Sequence, residues 1–280
     1  MALSAFFFAV MAAAAKHLGG RVPPQEIILV RGVLNAAFTF WLLSRRGLPW
    51  RPRRTGLLLL RGTLGHVALS AYFWSVAHQP LASAVLLQQV HPVFTAVLAA
   101  WLLGERPGPR FLPAFLLAAL GVAALSPAGG GAPVTSPTAL AVGLLGAVLS
   151  AAAYVTVRDA RRTEHELTIV LWFPLVSVPL AAAGTLVEGP VIPSPADWGW
   201  LLFIAAAGQA GQLFLTRGLF QVPAGRATLA NPLTVAFGAA IGWLAFAEPV
   251  GVRTLLGGGA IVAAVLLAGS KKPAEPEPAE

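Results

Sequence analysis

The sequence predicts an all-α integral membrane protein with ten transmembrane helices, arranged as two inverted five-helix repeats. Of the 280 residues, 57% are hydrophobic and 11% are charged, and the mean hydropathy is +0.75. A soluble domain of this size does not need so much apolar sequence. Because a spanning helix takes about 20 apolar residues, the chain has room for roughly ten of them. Two interrupted apolar stretches in matching places indicate the repeats.

Apolar runs bounded by glycine, proline and charged residues define the predicted spans. They lie near 2–18, 25–44, 55–77, 81–103, 110–126, 137–157, 165–187, 196–216, 224–247 and 252–269. The Gly/Pro-rich linker 127–137 separates the first repeat, 1–126, from the second, 138–269. The tail 270–280 is rich in proline and glutamate, a composition typical of a disordered end.

The basic residues predict the orientation in the membrane. Most of them fall in loops at one end of the helices, here called the basic end, whereas the opposite end has only Lys16, Arg21 and Arg253, and Arg31 and Arg61 lie within spans. Basic loops stay in the cytoplasm, so both termini are predicted to be cytoplasmic in a bacterial inner-membrane protein. An odd number of spans per repeat then inverts the second repeat. The same loops account for the net charge of +8, so nucleic acid is not a predicted partner.

Two interrupted spans occupy matching places in the repeats. Leu81–Glu105 reads LASAVLLQQVHPVFTAVLAAWLLGE, and Pro223–Glu248 reads PAGRATLANPLTVAFGAAIGWLAFAE. Each contains a polar residue followed by a proline, Pro92 or Pro232, and each ends at a glutamate. Proline frees backbone carbonyls inside a span, and interrupted helices of this kind form the binding sites of secondary transporters.

Polar side chains within the predicted spans form the candidate substrate site. A polar group at mid-membrane is costly unless it faces a cavity or a partner, and several of these residues recur on one helical stripe. The predicted substrate-binding residues are Arg61, His66, Tyr72, Trp74, Gln88, His91, Tyr154, Gln209, Gln212 and Asn231. Structural alternatives stay open: single amides and hydroxyls often bond between helices, and Arg61 can extend to the interface. Arg31 is interpreted as one half of a structural ion pair with Glu26.

Gating or structural roles are assigned to Pro92, Pro232, Glu105 and Glu248. A carboxylate at a helix C-terminus is unfavourable for the helix dipole, so each glutamate needs a basic partner. The candidates are Arg106 or Arg110 in the first repeat and Arg253 in the second.

Other chemistry is not predicted. The absence of cysteine excludes disulfides and thiol chemistry, and the sequence contains no metal-ligand cluster, catalytic constellation or phosphate-binding loop. We therefore predict no enzyme activity, no metal and no cofactor. No carboxylate lies at mid-membrane, so His66 and His91 are the groups there that titrate near neutral pH.

Long stretches of both halves resemble a known repeat. PLASAVLLQQVHPVFTAVLAAWLLGERPGPRFLPAFLLAALGVAAL and PAGRATLANPLTVAFGAAIGWLAFAEPVGVRTLLGGGAIVAAVLL each resemble the EamA-type repeat of the drug/metabolite transporter superfamily, as do the early segments KHLGG, ILVRGVLN and LLSRRGLPW. The resemblance implies a central cavity between the halves, alternating access, and transport of small metabolites, often export of amino acids or related compounds. The resemblance does not distinguish a monomer from a homodimer.

The residue types of the candidate site favour a class of substrate. Aromatic, imidazole, amide and cationic groups without an acid suit an amphipathic metabolite that bears a carboxylate or another anionic group. The expected partners are a small-molecule substrate and the lipid bilayer. A flippase-like carrier of lipid-linked head groups is the alternative.

Overall fold

The computed structural model describes residues 2–103, 110–125, 136–221, 231–248 and 251–269, and these are almost entirely helical. Eleven helical segments occur in this part of the chain, and they form ten spans because α4 and α5 are the two parts of the fourth span. They are α1 Ala2–Leu18, α2 Pro24–Arg45, α3 Thr55–His78, α4 Leu81–Gln88, α5 His91–Leu103, α6 Phe111–Leu125, α7 Pro137–Ala160, α8 Glu166–Glu188, α9 Pro195–Gln221, α10 Asn231–Phe246 and α11 Val252–Gly269. The predicted all-helical, ten-span fold is confirmed. The predicted tail and most of the linker lie outside the described residues.

Several helices are suited to a membrane by length and composition. Four are long and apolar enough to cross one: Pro24–Arg45, Thr55–His78, Pro137–Val157 and Glu166–Glu188. Shorter apolar helices cover Leu3–Leu18, Phe111–Ala124, Leu233–Phe246 and Val252–Leu267. Large apolar side chains, including Trp101, Leu186 and Leu244, are mostly exposed on the outside of the bundle. Such a surface is suited to lipid and would be a liability in water.

The helices of the two halves pack in a two-fold pattern. Helix α3 packs on α7, and α9 packs on α1; likewise α3 packs on α8, and α9 packs on α2. Exchanging α1, α2 and α3 with α7, α8 and α9 converts each of these pairs into its mate. When α6 is exchanged with α11 as well, the pairs α2–α8 and α6–α11 each convert into themselves. This is the packing expected of two repeats related by a two-fold axis.

Small residues allow the halves to approach closely. A Cβ atom at Gly62 of α3 would lie 2.5 Å from the Cβ atom of Val176 on α8. A Cβ atom at Gly121 of α6 would lie 2.7 Å from the carbonyl oxygen of Gly257 on α11. Both positions therefore need glycine: Gly62 makes room for the Val176 side chain, and at Gly121 the backbones of α6 and α11 come close together, as is common in membrane bundles.

The fourth span is broken as predicted, but two residues earlier than its proline. Helix α4 ends at Gln88, Gln89 and Val90 form a turn, and α5 begins at His91 with Pro92 as its second residue. Proline is well suited to the first turn of a helix, where its missing N–H has no helical acceptor. Helix α10 begins in the same way, with Asn231 followed by Pro232. The two X-Pro pairs therefore both start the helix that leads to the terminal glutamate.

The loops at the basic end are tied together. The Glu164 carboxylate accepts hydrogen bonds from the backbone N–H groups of Arg53 and Arg54, at 2.8 and 2.7 Å. The Arg54 guanidinium also pairs with Asp159 at 2.8 Å. These contacts join the α2–α3 loop to the end of α7 and the turn before α8.

Candidate functional site

Arg61 lies at the centre of the best-formed group of predicted site residues. Its guanidinium carbon is 4.6 Å from the centroid of the Phe173 ring on α8, and Tyr154 lies on α7, which packs on the same helix α3. Its Nε and Nη1 atoms are buried and have no hydrogen-bond partner. A Cβ atom at Gly65 would lie 2.5 Å from Nη1, so the side chain runs along α3 toward Gly65, one turn farther from the basic end. Arg61 therefore extends into the bundle and does not snorkel.

His91 and Tyr154 form the second part of this group. Their rings stack with centroids 4.9 Å apart and an interplanar angle of 17°. The His91 Nδ1 atom is 2.8 Å from the Gln88 carbonyl oxygen, which only accepts, so Nδ1 carries a proton, and Nε2 is the acceptor when the ring is neutral. The Gln88 amide donates to the Ser150 hydroxyl at 2.8 Å. We call Arg61, Phe173, Tyr154, His91 and Gln88 the Arg61 site.

The electrostatics of the Arg61 site favour an anion. Among the described residues, no carboxylate forms an ion pair with Arg61. The Phe173 ring offers a cation–π contact, which offsets only part of the cost of removing a guanidinium from water. Tyr154 is 42% exposed although its ring stacks on His91. An arginine with unsatisfied donors beside an accessible aromatic ring can bind a carboxylate and pack an apolar group.

Three predicted site residues lie elsewhere. The His66 Nδ1 atom is 2.9 Å from the Ser177 hydroxyl, and this buried hydrogen bond joins α3 to α8. Trp74 stacks on His78, with ring centroids 4.0 Å apart, at the far end of α3. Tyr72 packs between buried clusters to which α1 and α4 contribute. The structure does not bring these side chains to the Arg61 site.

Gln209 and Gln212 face α2. With Thr39, they line a small, mainly apolar cleft between α2, α8 and α9, and the Gln209 amide donates to the Thr39 hydroxyl at 3.4 Å. Asn231 begins α10, but its side chain is not among those described, nor are the side chains of Pro92 and Pro232. Glu105 lies outside the described residues altogether.

Glu248 belongs to a cluster of four helix ends opposite the basic end. Its Oε1 atom is 2.7 Å from the Lys16 ammonium, and its Oε2 atom accepts the backbone N–H of Leu81 at 2.8 Å. Lys16 also donates to the Gln79 carbonyl at 2.6 Å and lies 5.6 Å from the Phe246 ring centroid. These residues, called the Lys16–Glu248 cluster, join α1, α3, α4 and α10. The sequence favours Arg253 as the partner and does not indicate Lys16, although Lys16 lies near the end of a short span.

The predicted ion pair between Arg31 and Glu26 is wrong. The Glu26 carboxylate accepts the backbone N–H of Val191 at 3.2 Å, while Arg31 makes no ion pair with any described carboxylate. Five residues along a helix correspond to about 500°, so the two side chains point about 140° apart.

Both halves of the chain match a known protein family. The model of the EamA-like transporter family matches residues 1–126 and 137–270, one match for each half. The chain belongs to the EamA-like transporter family. It is thus a multi-pass membrane transporter and not an enzyme, and the predicted family within the drug/metabolite transporter superfamily is confirmed.

Similar proteins include transporters from several bacteria. The pseudopaline exporter CntI of Pseudomonas aeruginosa is 32% identical over 272 residues, which cover 96% of this chain and 95% of the exporter. An uncharacterized transporter of Helicobacter pylori is 26% identical over 232 residues, covering 78% of this chain and 76% of that protein. A solved crystal structure aligns with a TM-score of 0.65 at 19% identity and covers 95% of each chain. That last likeness bears on the fold alone.

Proposed function

We propose that this EamA-family protein is a secondary carrier of small amphipathic metabolites that bear an anionic group, such as amino acids or related compounds. The observation that carries the proposal is the Arg61 guanidinium, which has two buried donors without a partner and no described carboxylate beside it. A metabolite carboxylate is suited to the guanidinium fork, which binds it through two parallel hydrogen bonds.

The rest of the Arg61 site is suited to the remainder of such a molecule. Phe173 and the accessible face of Tyr154 offer apolar contacts. The Nε2 atom of His91 can accept a hydrogen bond from an ammonium or hydroxyl group.

Alternating access would use the two-fold packing. The fourth span changes direction at the Gln89–Val90 turn, directly before His91, so movement of α4 and α5 alters the site. Exchanging the conformations of two repeats converts a cavity open at one end into one open at the other. Export is the favoured direction, because the relative that is 32% identical over nearly its whole length is named an exporter.

The test compares carboxylic acids with their uncharged methyl esters. We expect N-acetylphenylalanine and other aromatic carboxylic acids to raise the midpoint of thermal unfolding of the purified protein, and their methyl esters not to, because a ligand that binds only the folded state stabilises it. Pseudopaline belongs in the same screen. Acids that bind are then used in counterflow with proteoliposomes. Equal shifts by acids and esters would contradict the anionic specificity.

The basic end is proposed to face the cytoplasm, in accordance with the positive-inside rule. The chain has no cysteine, so single cysteines can be labelled without background. Thr163 is exposed at the basic end and Ile192 is 95% exposed at the other. In spheroplasts, an impermeant maleimide should label Ile192→Cys directly and Thr163→Cys only after permeabilisation. The opposite result would reverse the orientation.

A further inference from the structure

We infer that Arg31 forms a second anion-binding site, between α1, α2 and α9, which takes a carboxylate group. The inference rests on the proposed transport of anionic compounds and adds a site that is separate from Arg61. Arg31 is 4% exposed, its Nε atom is buried without a hydrogen-bond partner, and no described carboxylate forms an ion pair with it.

The Arg31 guanidinium lies at mid-depth in the bundle. A Cβ atom at Gly208 would lie 2.7 Å from its Nε atom and 3.5 Å from its Cζ atom, and 2.9 Å from the sulfur of Met11 on α1. Gly208 is the central residue of α9, which runs from Pro195 to Gln221. The charged group is therefore far from both ends of that helix and cannot be hydrated by snorkelling.

Arg31 heads a buried polar stripe. Asn35 and Thr39 follow it at intervals of four residues on α2, so all three lie on one face, and they are 9% and 1% exposed. Thr39 accepts the hydrogen bond from Gln209, and both line the cleft between α2, α8 and α9. This stripe runs from the guanidinium to the cleft, which lies nearer the basic end.

No described acid compensates the charge. The carboxylates within the described residues lie at helix ends or in loops, and the one nearest in sequence, Glu26, is bound to the Val191 backbone. A guanidinium kept at mid-depth without a counter-ion destabilises the empty protein. An ionisable side chain in such a position is most simply explained by a ligand that neutralises it.

The test uses benzoate and its neutral analogue benzamide as probes, at constant ionic strength. With Arg61→Gln, the benzoate-specific rise in the thermal midpoint should persist, because Arg31 still binds the anion. In the double variant Arg31→Gln/Arg61→Gln, half-saturation should require a benzoate concentration at least about ten-fold higher. Arg46→Gln removes an exposed arginine at the end of α2 and should leave the response of the Arg61→Gln protein unchanged.

A second readout separates an anion site from a structural role. Without ligand, Arg31→Gln should have a thermal midpoint equal to or above that of the unaltered protein, because it removes an unpaired buried charge. A clearly lower midpoint would overturn the inference, since it would mean that Arg31 is already paired. Loss of all benzoate-specific stabilisation in Arg61→Gln alone would also overturn it, while leaving the proposed function intact. If benzoate-specific stabilisation were unchanged in Arg61→Gln and in the double variant, both this inference and the proposed function would be contradicted.

Discussion

Replacing Arg61 by glutamine is expected to weaken transport of carboxylate substrates, and their binding at the Arg61 site, by about 30- to 100-fold. The estimate corresponds to about 2–3 kcal/mol for a charged, bidentate hydrogen-bonded pair. Arg61 is suited to this role because its Nε and Nη1 atoms have no protein partner and its guanidinium is held on the Phe173 ring. The measurement is counterflow of a screened acid in proteoliposomes.

Arg61→Lys provides the matched comparison. Lysine keeps the charge but not the planar fork, so its loss of affinity should lie between that of the unaltered protein and that of Arg61→Gln. Arg46→Gln, at an exposed position, controls for loss of a positive charge. The apo protein should not become less stable in Arg61→Gln, because no described ion pair is broken. Unchanged transport of every acid in Arg61→Gln would rule out a substrate contact at this residue.

The fold was predictable because the membrane constrains it. Backbone groups in lipid must bond within helices, so apolar length and charged loops are enough to define the spans. The break in the fourth span was also predictable from His91-Pro92, but its position was not. Proline favours the first turn of a helix, so the break falls before it, at Gln89–Val90.

The orientation of polar side chains was less predictable. Helical periodicity places Gln209 and Gln212 on one stripe, but it does not say which neighbour that stripe meets, and the neighbour is α2. His66 likewise reaches Ser177, which is 111 residues away in sequence. Arg61 and Tyr154 belong to helices of different halves, α3 and α7, which pack on each other. A single sequence carries no signal for such pairings between the halves.

Arg31 shows how a local rule can mislead. Glu26 is close in sequence and has the right charge, so an ion pair looked sufficient to explain a buried arginine. The two side chains nevertheless lie on different sides of α2, and the loop before α9 uses the carboxylate. A spacing of three or four residues would have been needed for a pair on one helix.

Neutralising the Lys16–Glu248 cluster is expected to destabilise the protein and to open the end of the bundle where it lies. Lys16 and Glu248 are 16% and 15% exposed, so either Lys16→Met or Glu248→Gln leaves a partly buried charge without its partner. We expect each to lower the free energy of unfolding by about 2 kcal/mol and the double variant to cost less than the sum. Thermal or denaturant unfolding of the four proteins gives this coupling.

Reversal of the pair should not restore stability. Glu248 also accepts the Leu81 backbone N–H, and Lys16 also donates to the Gln79 carbonyl. A lysine at position 248 cannot accept a hydrogen bond, and a glutamate at position 16 cannot donate one in its ionised form. Lys16→Glu/Glu248→Lys should therefore remain less stable than the unaltered protein. Full recovery of stability would instead indicate a simple ion pair to which the backbone hydrogen bonds contribute little.

A gating role for Glu248 requires that its loss expose α4 as well as destabilise the protein. Ser83 is 0% exposed in the first turn of α4, the helix whose N-terminus Glu248 caps. A thiol reagent should therefore modify Ser83→Cys slowly in the otherwise unaltered protein and about ten-fold faster with Glu248→Gln, because opening that end costs about 1.4 kcal/mol less. Arg54→Gln breaks an ion pair at the basic end and should leave the rate unchanged. If Glu248→Gln lowers stability without changing this rate, the cluster is structural, and opening of the bundle at that end does not depend on it.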